Sequence, residues 1–430
     1  MRILTLLPRI PVPAHDGGAL ALLGAVSHVH AAGHHVDVFV LNTKRHHQDP
    51  KVMRGVCSEV TAVDIDTSVS AVGAFRNLVA PRRSGAGGWS LRGRSVPLSY
   101  WLERFVHDAA FHALETLLRE RPAYDVIVCE SLFTAPYGFD VLRMMHDGEI
   151  DRRPVVLRAH NVEYMIQERM AAERSRPLSE RLYRRSLALR TRRFEREVAR
   201  SFDGVNTMTT TDADQFRRLV SSANVCTIAP GVVMPDAAYL DRKPKPNTLC
   251  LLGSLEWAPN VQGALWFLDN VMPRILREVP DAVVHVGGRG SDTSVQARHN
   301  GTSIIVHGEV DDAMAFRAGA AVSVVPLFSG SGIRIKIQEA MSLARPVVST
   351  TLGADGIPVT NGEHVLLADD VETFASACVT LLRDADAADN MGRRARRFAE
   401  QHYGWQQYVE AVIPWYQTLV QRLHGSTVTD

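Results

Sequence analysis

The segment Pro326-Leu327-Phe328-Ser329-Gly330-Ser331-Gly332-Ile333-Arg334-Ile335-Lys336-Ile337-Gln338-Glu339-Ala340-Met341 ends an apolar run, passes through two glycines and then takes on a helical pattern. Gly330 and Gly332 let backbone N–H groups approach a ligand. The start of the next helix carries partial positive charge. Arg334 and Lys336 add two cations, so Gly330, Ser331, Gly332 and Ile333 form a plausible diphosphate cradle. Neither G-x-x-x-x-G-K-[ST] nor G-x-G-x-x-G occurs here, which excludes a P-loop and a dinucleotide fingerprint. Glu339 falls about one and a half turns into the helix. There its carboxylate can accept hydrogen bonds from both hydroxyls of a ribose. The plainer reading is a glycine turn with solvated cations, Glu339 pairing with Lys336 at i,i+3.

A second cluster follows the apolar run Pro154–Leu157, where Arg158 interrupts and His160, Asn161 and Glu163 come next. The chain holds 17 histidines, so a lone one is as a rule structural. Glu163 serves equally well as a helix-dipole or capping residue. Gly17 and Gly18 precede an amphipathic stretch with Ala19, Leu22, Leu23, Val26 and Val29. They can lay backbone N–H groups on phosphate, or form a plain helix start with Asp16 as cap.

These residues need elements that hold them. In the first half, short β-branched runs lie at Ile3–Leu7, Val36–Leu41, Val126–Cys129, Val155–Leu157, Val205–Met208 and Val225–Ile228. In the second half they lie at Leu249–Leu252, Val283–Val286, Ile304–Val306, Val322–Val325, Val347–Ser349 and Val365–Leu367. The runs are continuous rather than alternating, as in strands buried on both faces. Helical patterns fill the gaps. One of them, Leu265, Leu268, Met272, Ile275, Leu276 and Val279, is expected to kink at Pro273. Strand, helix, strand throughout predicts parallel sheets with right-handed crossovers. Around residues 230–247 the pattern breaks at Pro230, Pro235, Pro244 and Pro246.

The expected fold is therefore α/β, with two doubly wound, Rossmann-like parallel-sheet domains facing a cleft. The expected boundaries are 1–236, a linker at 237–247, and 248–404. Helix 405–425, with Trp405, Tyr408, Val412, Trp415, Tyr416, Leu419 and Leu423 on one stripe, is expected to return to the first domain. In such folds ligands bind beyond the strands' carboxyl ends.

At 430 residues the chain exceeds what a single core usually organises. Its 46% hydrophobic and 22% charged residues are those of an ordinary globular protein. Lys+Arg 48 against Asp+Glu 47 gives no bulk charge that calls for nucleic acid. The apolar start Met1–Leu7 stops at Pro8, which suits a strand better than a secretory leader. Cys57, Cys129, Cys226, Cys250 and Cys378 are scattered, odd in number and without a C-x-x-C pair. They suggest neither a disulfide framework nor zinc, and they suit a cytoplasmic setting. Two basic segments stand out. Residues 174–200 carry ten arginines against three glutamates, a surface helix or a peripheral contact with anionic membrane. Arg82-Arg83-Ser84-Gly85-Ala86-Gly87-Gly88-Trp89, continuing through Arg92 and Arg94 to Tyr100-Trp101, reads as a mobile insertion or as an acceptor clamp.

The stretch 326–350, including Ala340-Met341 and Arg345-Pro346-Val347-Val348-Ser349-Thr350, resembles the donor-binding segment of family-4 glycosyltransferases with the GT-B fold. Other landmarks span nearly the whole chain. They are Met1–Leu7 with Pro13 and Gly17-Gly18, Arg158-Ala159-His160-Asn161-Val162-Glu163, Asp203–Thr211, Ala229-Pro230-Gly231-Val232 and Leu252-Gly253-Ser254. The resemblance implies a retaining transferase with no obligatory metal and no cofactor. A nucleotide-diphosphate sugar would be the co-substrate, its base unspecified, and a glycan, lipid-linked or small-molecule hydroxyl the acceptor. It places the donor mainly on the second domain and the acceptor on the first. It implies a cytoplasmic enzyme, peripheral at most on the inner membrane face.

Residue by residue, Glu339 matches the second of the family's two glutamates, the ribose ligand, and Ser331 stands at the first, which contacts donor-sugar hydroxyls. Val306-His307-Gly308-Glu309-Val310 matches where the family holds the base, and His160 matches a contact to the donor sugar near its reacting carbon. Many members carry Arg and Lys after the first strand of the second domain, where this chain has Ser254-Leu255-Glu256-Trp257. Arg334 and Lys336 are expected to neutralise the leaving diphosphate instead. Asn161, Glu163, Arg94 and Tyr100 are the acceptor-side candidates. The leaving phosphate oxygen, rather than a protein base, would take the acceptor proton. Two rivals share the architecture: a nucleotide-sugar 2-epimerase-like isomerase and a non-catalytic nucleotide-sugar-binding protein.

Overall fold

The computed structural model describes residues 1–14, 16–81, 96–172, 176–290, 292–329, 332 and 334–425. It divides into two compact units, residues 1–230 with 408–430, and residues 231–407.

The first unit is built on β1 (Arg2–Leu7), β2 (His35–Thr43), β3 (Glu59–Ile65), β4 (Val126–Glu130), β5 (Val155–Ala159), β6 (Gly204–Thr207) and β7 (Val225–Thr227). They form one sheet in the order β3-β2-β1-β4-β5-β6-β7, and every pair is parallel. The order reverses between β1 and β4, so the loops after these strands and after β5 share one end of the sheet. Leu4, Leu6, Leu41, Ile127 and Leu157 lie in its core. Each such side chain, fully removed from water, contributes about 1.5–3 kcal/mol. From Tyr408 onward the terminal helix Trp405–Gly425 belongs to this unit. Its Trp415 lies so close to Gly204 that a Cβ there would sit 2.7 Å from the indole.

The second unit holds β8 (Lys245–Leu252), β9 (Val283–Gly287), β10 (Ile304–Gly308), β11 (Ala320–Val325), β12 (Val347–Ser349) and β13 (Leu366–Leu367). Their order is β10-β9-β8-β11-β12-β13, again parallel. Here the switch point lies between β8 and β11. Residues 237–247 comprise the short helix Ala237–Leu240 and the first residues of β8. The segment bearing Pro273 divides into helix Ala258–Trp266, a π turn Phe267–Val271 and helix Met272–Glu278. Proline has no N–H to give the preceding turn, and the widened turn falls just before it.

Candidate functional site

In the second unit β11 delivers the chain to Pro326, and helix Ile335–Ser342 begins after Arg334. Gly330, Ser331 and Ile333 lie outside the described residues. Gly332 adopts φ 79°, a left-handed conformation that a glycine takes without strain. Its carbonyl accepts a 2.9 Å hydrogen bond from Arg334 Nη1. Among the described residues no side-chain cap bond is made at Arg334, and the start of a helix carries partial positive charge that suits an anion.

The two cations converge on the loop after β8. Arg334 is buried, its guanidinium 5.7 Å from the Trp257 ring centroid. Lys336 donates from Nζ to Asn260 Oδ1 at 2.8 Å. A Cβ built on Gly253 would stand 2.6 Å from that nitrogen. The positive charge missing from Ser254-Leu255-Glu256-Trp257 is thus supplied in space by residues 80 positions later. Lys336 is half-buried. Burial first, then the nearby Arg317 and Arg334 guanidiniums, pulls its amine down to about 7. Two further residues belong here that sequence reasoning missed, Asn260 and Arg289. Arg289, after β9, lies 3.5 Å from Glu256, and its carbonyl accepts from Leu255 N.

Glu339 does not pair with Lys336. Its Oε2 takes Arg317 Nη2 at 3.1 Å, with Arg317 only 2% exposed. Arg317, on helix Ala313–Ala318, carries no local signal in the sequence. The pair fixes one carboxylate oxygen of Glu339. Gly308, at the end of β10 with φ 74°, accepts at its carbonyl from Gly288 N at 2.7 Å.

In the first unit His160 Nε2 lies 2.8 Å from Glu130 Oε2, and Arg158 Nη1 donates to the same oxygen at 2.8 Å. Glu130 ends β4; Arg158 lies on β5, and His160 follows its end. Arg158 is fully buried, also reaches the Ala21 carbonyl, and lies under the Tyr408 ring of the terminal helix. Glu130 is buried too. Arg158 and His160 together hold its carboxyl below the usual range despite that burial. Burial pushes the His160 imidazole down, only partly opposed by Glu130. The arrangement orients the imidazole through one nitrogen and favours its neutral form. Glu130 went unnoticed in the sequence; its one signal is a carboxylate ending a buried apolar run, the same position that drew attention to His160.

Asn161 Nδ2 donates to Glu163 Oε1 at 3.2 Å, and Trp101 Nε1 to Glu163 Oε2 at 3.3 Å. Glu163 opens helix Glu163–Ala172, but the carboxylate that receives its first N–H groups is Glu195, on helix Leu178–Ser201. Burial raises both carboxyls, Glu195 the more. Tyr100 does not join this group; its hydroxyl accepts from Ser70 N at 2.9 Å. Arg94 lies outside the described residues. Gly17 and Gly18 form the first turn of helix Gly17–Ala31, capped by Asp16, which also binds Arg9. Among the described residues no group of three or more His, Cys, Asp or Glu is placed to hold a metal ion.

Residues 246–384 match the family model for glycosyl transferases group 1. The chain carries a group 1 glycosyltransferase domain within a GT-B fold. An uncharacterised 44.6 kDa protein in the cps region of Klebsiella pneumoniae is 21% identical over 403 residues, 91% of this chain and 94% of that one. Sucrose-phosphate synthase from Thermosynechococcus elongatus shares the fold at a TM-score of 0.69 and 15% identity, covering 98% of this chain and 100% of the other. Anabaena Alr3699/HepE in complex with UDP-glucose shares it at 0.62 and 12%, covering 99% and 100%. The likeness to both solved structures is one of fold. This glycosyltransferase has, among its described residues, no helix long and apolar enough to cross a membrane.

Proposed function

We propose that this glycosyltransferase moves a hexose, with retention at the anomeric carbon, from a nucleotide-diphosphate sugar to a hydroxyl of a glycan, lipid-linked or small-molecule acceptor. One observation carries the reading: Arg334 and Lys336 meet beside Gly253 and Trp257, at the switch point of a parallel sheet and at the start of helix Ile335–Ser342. Two cations and the positive start of a helix stabilise charge growing on a departing diphosphate, without calling on a metal. Glu339, steadied by Arg317, keeps an oxygen for the ribose hydroxyls. Gly308 offers backbone at the base. Gly332 offers backbone to the phosphates, and Gly330, Ser331, Ile333, Gly17 and Gly18 are further donor-binding candidates. His160, held by Glu130, contacts the transferred sugar, and Asn161 and Glu163 serve the acceptor side. The departing phosphate oxygen takes the acceptor proton. The UDP-glucose complex of the Anabaena neighbour supports a uridine donor, and the Klebsiella relative in a cps region supports a role in polysaccharide or envelope glycan synthesis. The reading places the enzyme in the cytoplasm.

The test is incubation with UDP-, GDP- and ADP-sugars, with water as acceptor. Released sugar is followed by proton NMR before it mutarotates. First appearance of the donor's own anomer supports retaining transfer, and the inverted anomer contradicts it. An epimerised nucleotide sugar would reveal an isomerase, and binding without turnover against water and a panel of hydroxyl acceptors would reveal a binding protein.

A further inference from the structure

A cavity of about 340 Å³ opens in the first unit, beyond the carboxyl end of β3. Its size is that of a small-ligand site. Its wall is polar. Asp66 and Ser68 come from the loop after β3, Arg76 from helix Ala71–Val79, and Tyr100, Glu103 and Arg104 from helix Tyr100–Glu103 and its end.

The two acids on this wall have partners. Asp66 Oδ1 accepts from Ser68 N at 2.8 Å, and Lys44 Nζ lies 3.5 Å from its Oδ2. Glu103 takes Arg76 at 3.2 Å and the Asn77 amide. Arg104 is different. Its Nη1 donates to the Thr67 carbonyl at 2.6 Å, and its guanidinium lies 5.0 Å from the Trp101 ring centroid, 5.8 Å from Phe105 and 6.0 Å from Tyr100. Among the described residues no carboxylate pairs with it. It is half-buried, and burial pulls its pKa below the ordinary value. Rings and one carbonyl replace only part of the water it gives up. Its fork of N–H groups matches a carboxylate.

The other charges on the wall select the anion. Asp66 and Glu103 oppose a dianionic phosphate, whereas they can accept hydrogen bonds from neutral hydroxyls. The Tyr100 hydroxyl accepts from Ser70 N and keeps its own hydrogen to donate. One negative charge set among hydroxyls is the chemistry of a sugar acid. The cavity also adjoins the acceptor candidates. Arg104 lies over Trp101, whose Nε1 donates to Glu163, and Glu163 in turn takes Asn161.

We propose that this cavity binds a uronic acid of the acceptor glycan, its carboxylate on Arg104 and its hydroxyls on Asp66 and Tyr100. The inference rests on the reading of the chain as a transferase with a glycan acceptor, and it narrows that acceptor to an acidic polysaccharide.

Saturation-transfer NMR titration of the full chain, without nucleotide, tests it. The probes are the methyl glycosides of glucuronic and galacturonic acid, those of glucose and galactose, and methyl phosphate. One uronide should bind at least about tenfold more tightly than its neutral counterpart and than methyl phosphate. Arg104→Gln keeps a donor for the Thr67 carbonyl but loses the charge, and it should erase the preference. Tyr100→Phe should weaken uronide binding about threefold and leave the preference in place. Unfolding temperatures show that each variant is folded. Equal binding of uronide and neutral sugar by the parent would overturn the proposal. So would tighter binding of methyl phosphate, no saturable binding at about 50 mM, or an undiminished preference in folded Arg104→Gln. The readout uses neither donor nor turnover. Failure of the transferase reading would leave uronide binding as stated, and failure of uronide binding would leave UDP binding to report on the donor site.

Discussion

Lys336 makes diphosphate binding depend on pH in a calculable way. With its amine at about 7, half of the free protein carries the charge at pH 7 and about 3% at pH 8.5. A bound diphosphate favours the charged form and lifts the amine back towards its ordinary range, so binding takes up a proton. Affinity for UDP should fall by on the order of tenfold between pH 7.0 and 8.5. Over this interval the UDP terminal phosphate goes from mostly to fully ionised, which would strengthen binding, so a fall in affinity belongs to the protein. Isothermal titration calorimetry in buffers of different ionisation enthalpy should show about 0.9 proton taken up per UDP at pH 8. Lys336→Arg should bind without this dependence, and Lys336→Met should bind weakly at every pH. A flat affinity profile in the parent, or an unchanged slope in Lys336→Met, would refute the reasoning.

Other outcomes follow from the same contacts. Glu130→Ala leaves the Arg158 charge buried without its carboxylate and should cost about 3–5 kcal/mol in denaturant unfolding, whereas Arg158→Leu/Glu130→Leu should recover much of that. Because burial lowers the His160 imidazole, the folded chain resists protonating it; stability should decline as pH falls below 6.5, and His160→Asn should remove the first part of that decline. Glu339→Ala should both lower stability by about 3 kcal/mol, as Arg317 loses its partner, and abolish nucleotide binding; Glu339→Gln should lose binding with less cost to stability. A Cβ on Gly263 would stand 1.8 Å from the Pro326 carbonyl oxygen, so Gly263→Ala should displace the start of the donor loop and reduce nucleotide affinity at least about tenfold.

Strands buried on both faces announce themselves as unbroken Val and Ile runs, which is why β1, β4, β5 and β12 could be read from the chain. β3 could not. It is an edge strand whose Glu59 and Asp64 face solvent, leaving no continuous apolar signature. The site divides in the same way. Arg334, Lys336 and Glu339 share one loop and helix, so their spacing carries the signal. Arg317 and Asn260 reach the same place from other elements, and only the folded sheet brings them there. Glu130 and Arg158 hold His160 from adjacent strands, a register invisible in one sequence. Glu195 meets the start of helix Glu163–Ala172 from the second half of a long helix; its acidic side chain in a basic stretch reads as surface charge until the packing turns it inward.

The central claim is that the second unit binds a nucleoside diphosphate through Arg334, Lys336 and Glu339. Thermal unfolding of the full chain with UDP, GDP, ADP, TDP and CMP in separate samples tests it most directly. At about 100 times its dissociation constant a ligand adds about 2.7 kcal/mol, a rise of a few degrees. The account predicts such a rise with one diphosphate, lost in Glu339→Ala and reduced in Arg334→Ala. No rise with any nucleotide, or the same rise in both variants, would contradict it.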